Sequence, residues 1–208
     1  MPNAMVIDLS HHNAKVDFQK IRAAGVVGVI HKATEGTGFV DSQYALRKPA
    51  ALAAGLLWGA YHFGTGDDVD AQVAHFIKTT SPDGSFVLVL DFEKNEPSPA
   101  NSMSLAQAKQ FLTAVQTQSG QRPKIYTGMS YMTAAVGPHA EPTLATYRVW
   151  WAQYASAPHL RPTWQNYWLW QYTDGVNGPA EKSVNGVGNC DCDTLNGDEA
   201  GLRANWLA

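Results

Sequence analysis

Two acidic residues one position apart, Asp91 and Glu93, are the side chains of this sequence best placed to do chemistry. They follow the apolar run 87–90, which is too short for a typical helix and is typical of a buried parallel strand. Side chains at positions i and i+2 of a strand point the same way, so both acids should lie together at its C-terminal end, with Phe92 on the opposite face. Two neighbouring carboxyl groups, one protonated and one charged, are what hydrolysis of a glycosidic bond requires. An isolated pair could instead cap the strand and form salt bridges, so the rest of the chain decides between the two interpretations.

The sequence around this pair predicts alternating strands and helices. Apolar strands are predicted at 5–9, 26–30, 56–63, 86–90 and 124–127, and helices at 16–24, 42–54, 69–79 and from the capping box at Ser104 to about Gly120. Pro49 is expected to bend or shorten the second helix. Three more strands, at 147–154, 167–172 and 190–195, are joined by segments that hold Pro and Gly and little helical periodicity. The predicted fold class is α/β, a single irregular TIM-like barrel of the type (β/α)5(β)3, with residues 1–208 forming one catalytic domain.

Polar and aromatic residues collect at the predicted C-terminal ends of these strands, which is the end that carries the chemistry in α/β barrels. They are Asp8, His11, His12, His31, Lys32, Glu35, Tyr61, His62, Asp91, Glu93, Tyr126, Trp150, Trp151, Gln153, Trp170, Gln171, Tyr172, Asp191 and Asp193. Acids and amides from many strands that converge on one rim predict the mouth of an active site. Aromatic faces there suit the apolar faces of sugar rings.

Composition excludes several other classes of protein. The 208 residues are 45% apolar with a net charge of -3, which indicates a soluble globular protein without an electrostatic signature for nucleic acid. No stretch approaches the ~20 apolar residues of a membrane span, and the first residues lack the pattern of a Sec-type signal. We therefore expect a monomer that is synthesised in the cytoplasm, does not bind nucleic acid and does not insert into membranes.

Neither the cysteines nor the histidines predict a metal site. Cys190 and Cys192 are the only cysteines, and their spacing on a strand places them poorly for a disulfide bond with each other. Two cysteines are also too few for a structural zinc site. The histidines at the strand ends are more often hydrogen-bonded structural groups than ligands. No metal and no cofactor is expected.

The order and spacing of the strand-end motifs resemble those of the family 25 glycoside hydrolases, the Chalaropsis-type N-acetylmuramidases. The motifs are Asp8-Leu9-Ser10, Lys32-Ala33-Thr34-Glu35-Gly36, Gly59-Ala60-Tyr61-His62-Phe63, Asp91-Phe92-Glu93, Trp150-Trp151-Ala152-Gln153-Tyr154, Trp170-Gln171-Tyr172 and Asp191. The resemblance covers nearly the whole chain in the right order. It implies an irregular barrel of eight strands and five helices. It also implies cleavage of the β-1,4 bond from N-acetylmuramic acid to N-acetylglucosamine, with the glycan strands of bacterial peptidoglycan as the partner.

The same resemblance implies roles for individual residues. Glu93 is the general acid, Asp91 is the second acid, which orients a reacting 2-acetamido group or activates water, and Asp8 joins this catalytic group. Burial among aromatic residues would keep the Glu93 carboxyl protonated near neutral pH. The implied substrate-binding residues are Asp191, Tyr61, Lys32, Glu35, Tyr126, Trp151, Gln171 and Trp170. The resemblance assigns Asp191 rather than Asp193 to the groove, and the chain departs from the family at Asp193, where an Asn often stands. Retention with substrate assistance is favoured over inversion.

Three alternative functions would use similar residues. A chitinase of the family 18 type needs further acids before its D-x-E, where this chain has Leu88 and Val89. A metal-dependent amidase or deacetylase of the cell wall could use Asp8 with His31 or His62. A non-catalytic barrel that binds peptidoglycan or chitin would keep the groove without turnover. The enzyme interpretation fits a phage endolysin, a delivered effector or a prophage remnant that acts on the wall, extracellularly or in the periplasm, and the sequence does not choose between them.

Overall fold

The computed structural model describes residues 5–179, 181–195 and 197–208, and eight of the strands in these ranges close into a barrel. The strands are β1 (Val6–Leu9), β2 (Gly28–Glu35), β3 (Phe39–Val40), β4 (Leu57–Phe63), β5 (Val87–Asp91), β6 (Lys124–Gly128), β7 (Val149–Ala152), β8 (Leu169–Thr173), β9 (Ser183–Val184), β10 (Gly188–Asn189) and β11 (Asp191–Thr194). Around the barrel the order is β1-β2-β4-β5-β6-β7-β8-β11. Neighbours from β1 to β8 are parallel, whereas β11 is antiparallel to both β8 and β1.

Helices follow the first five barrel strands, and the predicted (β/α)5(β)3 architecture is confirmed. The helices are α1 (Phe18–Ala23), α2 (Tyr44–Ala53), α3 (Val69–Thr80), α4 (Leu105–Ser119), α5 (Met129–Val136) and α6 (Glu199–Asn205). The capping box predicted at Ser104 is present, with Gln107 as its second residue. The short α6, which follows the last barrel strand, was not predicted. In the part of the chain that the structure describes, no helix has both the length and the apolar character needed to cross a membrane.

Two apolar layers hold the barrel together. One fills its interior and includes Ile30 and Val89, and the other lies between the strands and the outer helices and includes Val29 and Leu90. Neighbours along one strand therefore belong to different layers, because successive strand side chains point to opposite faces. The interior layer ends below the C-terminal ends of the parallel strands, and polar residues take over at that mouth.

Two local predictions differ from the structure. The second strand was predicted at 26–30, but β2 continues to Glu35 and turns through Gly36, whose φ is 52°, into a hairpin with β3. A positive φ of this size is the conformation that glycine adopts without steric cost. Helix α2 continues through Pro49, which neither ends nor shortens it at that residue.

Candidate active site

A cavity of about 200 Å³ opens at the mouth of the barrel. Its lining residues are Asp8, Tyr61, Asp91, Glu93, Tyr126, Trp150, Tyr154, Gln171 and Asp191. Seven barrel strands place a residue there directly or through the first residues that follow the strand. Four of the side chains are carboxylic acids, so the cavity concentrates acidic groups in a place largely withdrawn from water.

Asp91 and Glu93 both face this cavity, as the alternation along the strand predicts. Asp91 is the last residue of β5 and is 6% exposed, and Glu93 follows two residues later. Phe92 points to the outer layer, where its ring lies edge-on to Tyr131 at 4.9 Å between centroids. The Oδ1 atom of Asp91 is buried, and no hydrogen-bond partner for it exists among the described residues. A ligand in the cavity can therefore supply one.

Burial sets the charge of this carboxyl pair. Burial raises the pKa of Glu93 to about 7, against an ordinary value of 4.5, and the positive charge of Lys32 opposes the rise. Burial and the nearby negative charge of Glu93 also raise the pKa of Asp91 well above its usual range. Two carboxyl groups this close do not both ionise readily, so the pair retains a proton near neutral pH. That is the state a general acid needs.

A hydrogen-bonded chain holds the third acid, Asp8. The Oε1 atom of Gln171 accepts from the hydroxyl of Tyr126 at 2.8 Å and from that of Tyr154 at 3.1 Å. Its amide nitrogen Nε2 then donates to Asp8 Oδ2 at 2.8 Å. Because both phenols donate to the oxygen, the orientation of the amide is fixed. Burial and the charges of Asp191 and Asp193 raise the pKa of Asp8, while the bond from Gln171 opposes them.

The antiparallel direction of β11 separates Asp191 from Asp193. Asp191 was predicted at the C-terminal end of its strand but is the first residue of β11, and the reversed direction brings that first residue to the mouth, opposite Asp8. Burial raises the pKa of Asp191 to about 6. Asp193 lies deeper, opposite Val6, is fully buried and accepts a hydrogen bond from Trp150 Nε1 at 2.6 Å. Asp191 is therefore the acid of this strand that faces the cavity.

The comparisons with known proteins agree with this geometry. Residues 7–180 match the family model described as glycosyl hydrolases family 25. The chain belongs to that family. As a family 25 member it is a glycosidase.

Two named relatives and one solved structure illustrate the similarity. Lysozyme M1 of Streptomyces globisporus is 27% identical, over 95% of this chain and 69% of the relative. The N,O-diacetylmuramidase of a Chalaropsis species is 28% identical, over 86% of this chain and 92% of the relative. The crystal structure of a bacterial lysozyme from Streptomyces coelicolor superposes with a TM-score of 0.82 at 27% identity and covers 96% of this chain and 95% of its own.

Four residues predicted for the groove do not line the cavity of this glycosidase. Lys32 and Glu35 pair with each other on β2, and the Lys32 ammonium lies 5.0 Å from the centre of the Phe63 ring. Trp151 and Trp170 are buried in the outer layer. The predicted placement of Trp151 and Trp170 in the groove is therefore corrected. Each tryptophan is adjacent to a residue that faces the cavity, Trp150 or Gln171, so its own side chain points outward.

The residues assigned to substrate binding leave out two residues that line the cavity, Trp150, which was predicted only at the rim, and Tyr154. The sequence carries part of the signal for Trp150, because Gln171 and Trp170 are adjacent and cannot both face the groove. The structure supplies the rest, since β7 pairs Trp151 with Trp170 in register. An inward Gln171 therefore implies an outward Trp170, an outward Trp151 and an inward Trp150. Tyr154 lies beyond the end of β7, where strand alternation no longer predicts direction.

The histidines do not reach the cavity of this family 25 member. His62 is fully buried on the outer face, bonded through Nδ1 to Thr34 Oγ1 at 2.8 Å and through Nε2 to Gln72 Oε1 at 3.1 Å. His31 bonds the backbone oxygen of Lys32 at 2.7 Å. Burial lowers the pKa of His31 to about 4 and that of His62 to about 3, so both are neutral. Among the described residues, no group of three or more His, Cys, Asp or Glu side chains is arranged to hold a metal ion.

Proposed function

We propose that this glycosidase hydrolyses the β-1,4 bond between N-acetylmuramic acid and N-acetylglucosamine in bacterial peptidoglycan. The observation that supports this function most directly is the pair Asp91 and Glu93. The two acids share a small cavity and retain a proton near neutral pH. The relatives support this substrate, since their names describe a lysozyme and an N,O-diacetylmuramidase. The chain is therefore a lysozyme-type peptidoglycan hydrolase.

Glu93 acts as the general acid in this proposal. Its protonated carboxyl gives the proton to the glycosidic oxygen as the bond from that oxygen to C1 breaks, and positive charge develops at the sugar C1. The pKa of about 7 leaves a large protonated fraction at neutral pH. After cleavage, the Glu93 carboxylate accepts a proton from the water that completes hydrolysis.

Asp91 acts on the 2-acetamido group of the sugar that is cleaved. Its unpartnered Oδ1 is an acceptor for the acetamido N–H, and this bond orients the acetamido oxygen toward C1. Attack by that oxygen and then by water would give net retention of configuration. Asp8, Asp191 and Tyr61 line the same cavity, where the acids stabilise the developing cation and the phenol contacts the sugar.

The proposal also includes the domain organisation, the oligomeric state and the place of action predicted from the sequence. Residues 1–208 act as one catalytic unit, and the enzyme works as a monomer that meets peptidoglycan outside the cytoplasmic membrane after release or delivery. Analytical ultracentrifugation of the purified chain measures the oligomeric state: a single species of about 22.6 kDa is expected. A stable dimer at micromolar concentration would contradict the monomer.

Mass spectrometry of the products from purified peptidoglycan tests the function. Borohydride reduction before analysis marks the new reducing end, and reduced N-acetylmuramic acid is the expected result. Reduced N-acetylglucosamine would instead identify a glucosaminidase, and freed peptides an amidase. Intact wall after prolonged incubation would indicate the non-catalytic barrel. A parallel digest in EDTA should proceed at the same rate, because the proposed chemistry uses carboxyl groups and the acetamido group of the substrate, without a metal ion.

A further inference from the structure

The buried acid Asp193 takes no part in the chemistry proposed above. Its side chain enters the apolar interior of the barrel, where Val6 lies opposite it on β1, deeper than the cavity-lining Asp191. None of the salt bridges that the described residues form includes this carboxyl group. Its Oδ1 atom accepts the bond from Trp150 Nε1, whereas the buried Oδ2 atom has no hydrogen-bond partner within the described ranges. An acid in such surroundings requires a physical explanation.

The surroundings of Asp193 favour a neutral carboxyl group. Removing an ionised carboxylate from water costs free energy unless hydrogen bonds or a positive charge compensate it, and Asp193 accepts a single bond. The ionisable groups that act on it are acids, namely Asp8 on β1, Tyr172 on β8, and Asp191 and Cys192 on its own strand. Burial and the charge of Asp191 raise the pKa of Asp193 well above its usual range, although the bond from Trp150 opposes them.

The partner of this carboxyl group belongs to the wall of the active-site cavity. Trp150 lines the cavity, and its ring packs edge-on against Tyr126 at 4.7 Å between ring centroids. The Tyr126 hydroxyl bonds Gln171, and Gln171 in turn bonds Asp8. Asp193 therefore lies at the base of a series of contacts that ends at an acid of the site.

We propose that Asp193 is a positioning residue, which as a neutral carboxylic acid holds the Trp150 indole in the cavity wall and thereby maintains the orientation of Asp8. This inference rests on the proposed function for the activity that is measured, and it adds a role for an acid outside the cavity. Neutrality is part of that role. A negative charge on Asp193 would repel the charge of Asp8 and make ionisation of Asp8 harder.

Two substitutions at Asp193 separate the hydrogen bond from the charge. Asp193→Leu fills a similar volume but leaves the Trp150 N–H buried without an acceptor, so kcat/KM on soluble glycan strands should fall by about tenfold or more. Asp193→Asn keeps an oxygen that accepts from Trp150 and does not ionise, so it should restore kcat/KM to within about twofold of the wild type. A tenfold loss in Asp193→Asn would show that the enzyme needs a negative charge at this position, and the inference would be wrong.

Val87→Ala is the matched control for a loss of stability alone. Val87 is buried in the interior layer at the first position of β5, at the end of that strand opposite Asp91. This variant should melt at a lower temperature than the wild type but keep kcat/KM within about twofold, when activity is measured well below the unfolding transition. Equal losses of kcat/KM in Val87→Ala and Asp193→Leu would assign Asp193 to the fold alone and overturn the inference.

Infrared difference spectroscopy measures the charge of Asp193 independently of activity. The spectrum of the wild type minus that of Asp193→Asn at pH 7 should contain the C=O band of a protonated carboxylic acid, which an ionised carboxylate lacks. Carboxylate bands in its place would show that Asp193 is ionised, and the inference would fail. If Asp193→Leu does not fold, as judged by circular dichroism, this spectrum and the activity of Asp193→Asn decide the matter.

The indole N–H resonance of Trp150, assigned in NMR spectra by its absence from Trp150→Phe, reports whether Asp193 holds this ring. The resonance should keep its chemical shift in Asp193→Asn and move in Asp193→Leu, because only the second change removes the acceptor. An unchanged resonance in Asp193→Leu would contradict the positioning role. A wild type that cleaves no glycan strands would instead refute the proposed function, and the infrared band and the indole resonance would still show whether Asp193 is neutral and holds Trp150.

Discussion

The two faces of the barrel strands treat polar residues in opposite ways. On the outer face, His62 is bonded at both ring nitrogens and His31 bonds a backbone oxygen, so these buried groups are neutral and paired. On the inner face at the mouth, the buried Asp8 and Asp91 lie with the half-buried Asp191 and Glu93 in one cavity, and burial together with like charges raises their pKa values. The outer groups serve the fold, whereas the inner acids are held in an unfavourable state that a substrate can relieve.

Adjacent residues fall on either side of this division. Asp91 faces the cavity and Phe92 the outer layer, and the same holds for Trp150 and Trp151. At this mouth the type of a residue does not by itself predict its role, since two consecutive tryptophans lie in different environments, one at the cavity and one in the outer layer. Substitutions on the two faces should therefore separate activity from stability.

Glu93→Gln should have the largest effect. The amide has nearly the shape of the carboxyl group but cannot deliver a proton, so kcat should fall by about 10²-fold or more. Turbidity clearing of cell walls measures the loss, and circular dichroism verifies the fold. Glu199→Gln is the matched control, because Glu199 is a half-exposed residue of α6 that pairs with Arg22 and Arg203, far from the acid pair in sequence. Near-normal lysis by Glu93→Gln would remove Glu93 from the role of general acid.

Trp150→Phe and Trp151→Phe compare the two faces directly. Both should destabilise the protein by about 1–3 kcal/mol, since each removes part of a buried ring. Trp150→Phe should also lower kcat/KM by about tenfold, because the cavity loses a wall and Asp193 loses the hydrogen bond from Trp150 Nε1. Trp151→Phe should leave kcat/KM within about twofold of the wild type. Urea titration and kinetics below the unfolding transition measure the two effects, and the reverse ranking of activities would contradict the assignment.

The pH dependence of activity tests the inner acids. Since Glu93 must be protonated and burial raises its pKa to about 7, kcat/KM should fall about tenfold per pH unit above that value. Lys32 lowers this pKa through its positive charge, so Lys32→Met should move the falling limb to higher pH. An unchanged limb in that variant would show that Lys32 does not act on the acid pair.

The free energy of unfolding should also depend on pH through the Glu93 carboxyl group, and the raised pKa fixes the direction of that dependence. The pKa of Glu93 in the folded protein is above its ordinary value of 4.5, so its contribution to stability is fully present below about pH 4.5 and is lost as the pH rises through about 7. Glu93→Gln does not titrate. The melting temperature of this variant minus that of the wild type should therefore increase between pH 5 and pH 8. A difference that is constant with pH, or that decreases, would contradict the raised pKa.

The cysteines should show the smallest effect. Cys190 and Cys192 are buried in the outer layer as free thiols, with their sulfur atoms 3.8 Å apart, on the face opposite Asp191. The double change Cys190→Ala with Cys192→Ala should cost about 1 kcal/mol per residue in stability and leave kcat/KM unchanged. Reducing agents should have no effect on the wild type. Loss of activity at an unchanged melting temperature would reveal a role for the thiols in the site.

Much of the fold and of the site was predictable because both follow from local patterns. The run before Asp91 is apolar on both faces, which only a buried parallel strand requires, and the i, i+2 spacing fixes Asp91 and Glu93 on one face. The rhythm of strands and helices up to β6 then predicts a barrel, and the C-terminal ends of its strands predict where the chemistry lies.

The last strands were harder to predict because their geometry depends on partners that are distant in sequence. Asp191 and Asp193 have the same spacing as Asp91 and Glu93 and equal claims to the groove. Their separation follows from the antiparallel pairing of β11 with β1 and from the register shift between Cys192 and Asp193. The choice between Trp150 and Trp151 likewise depends on the register of β7 with β8.

The sequence by itself determined the α/β class, the acid pair and its chemistry, since these depend on residue type and on spacing within one strand. Tertiary structure alone decided which acids share a cavity, which tryptophan faces it and that Gln171 holds Asp8. Burial, which raises the pKa of Glu93 into the neutral range, is likewise a property of the closed barrel, because water is excluded only when strands from the whole chain surround the carboxyl group.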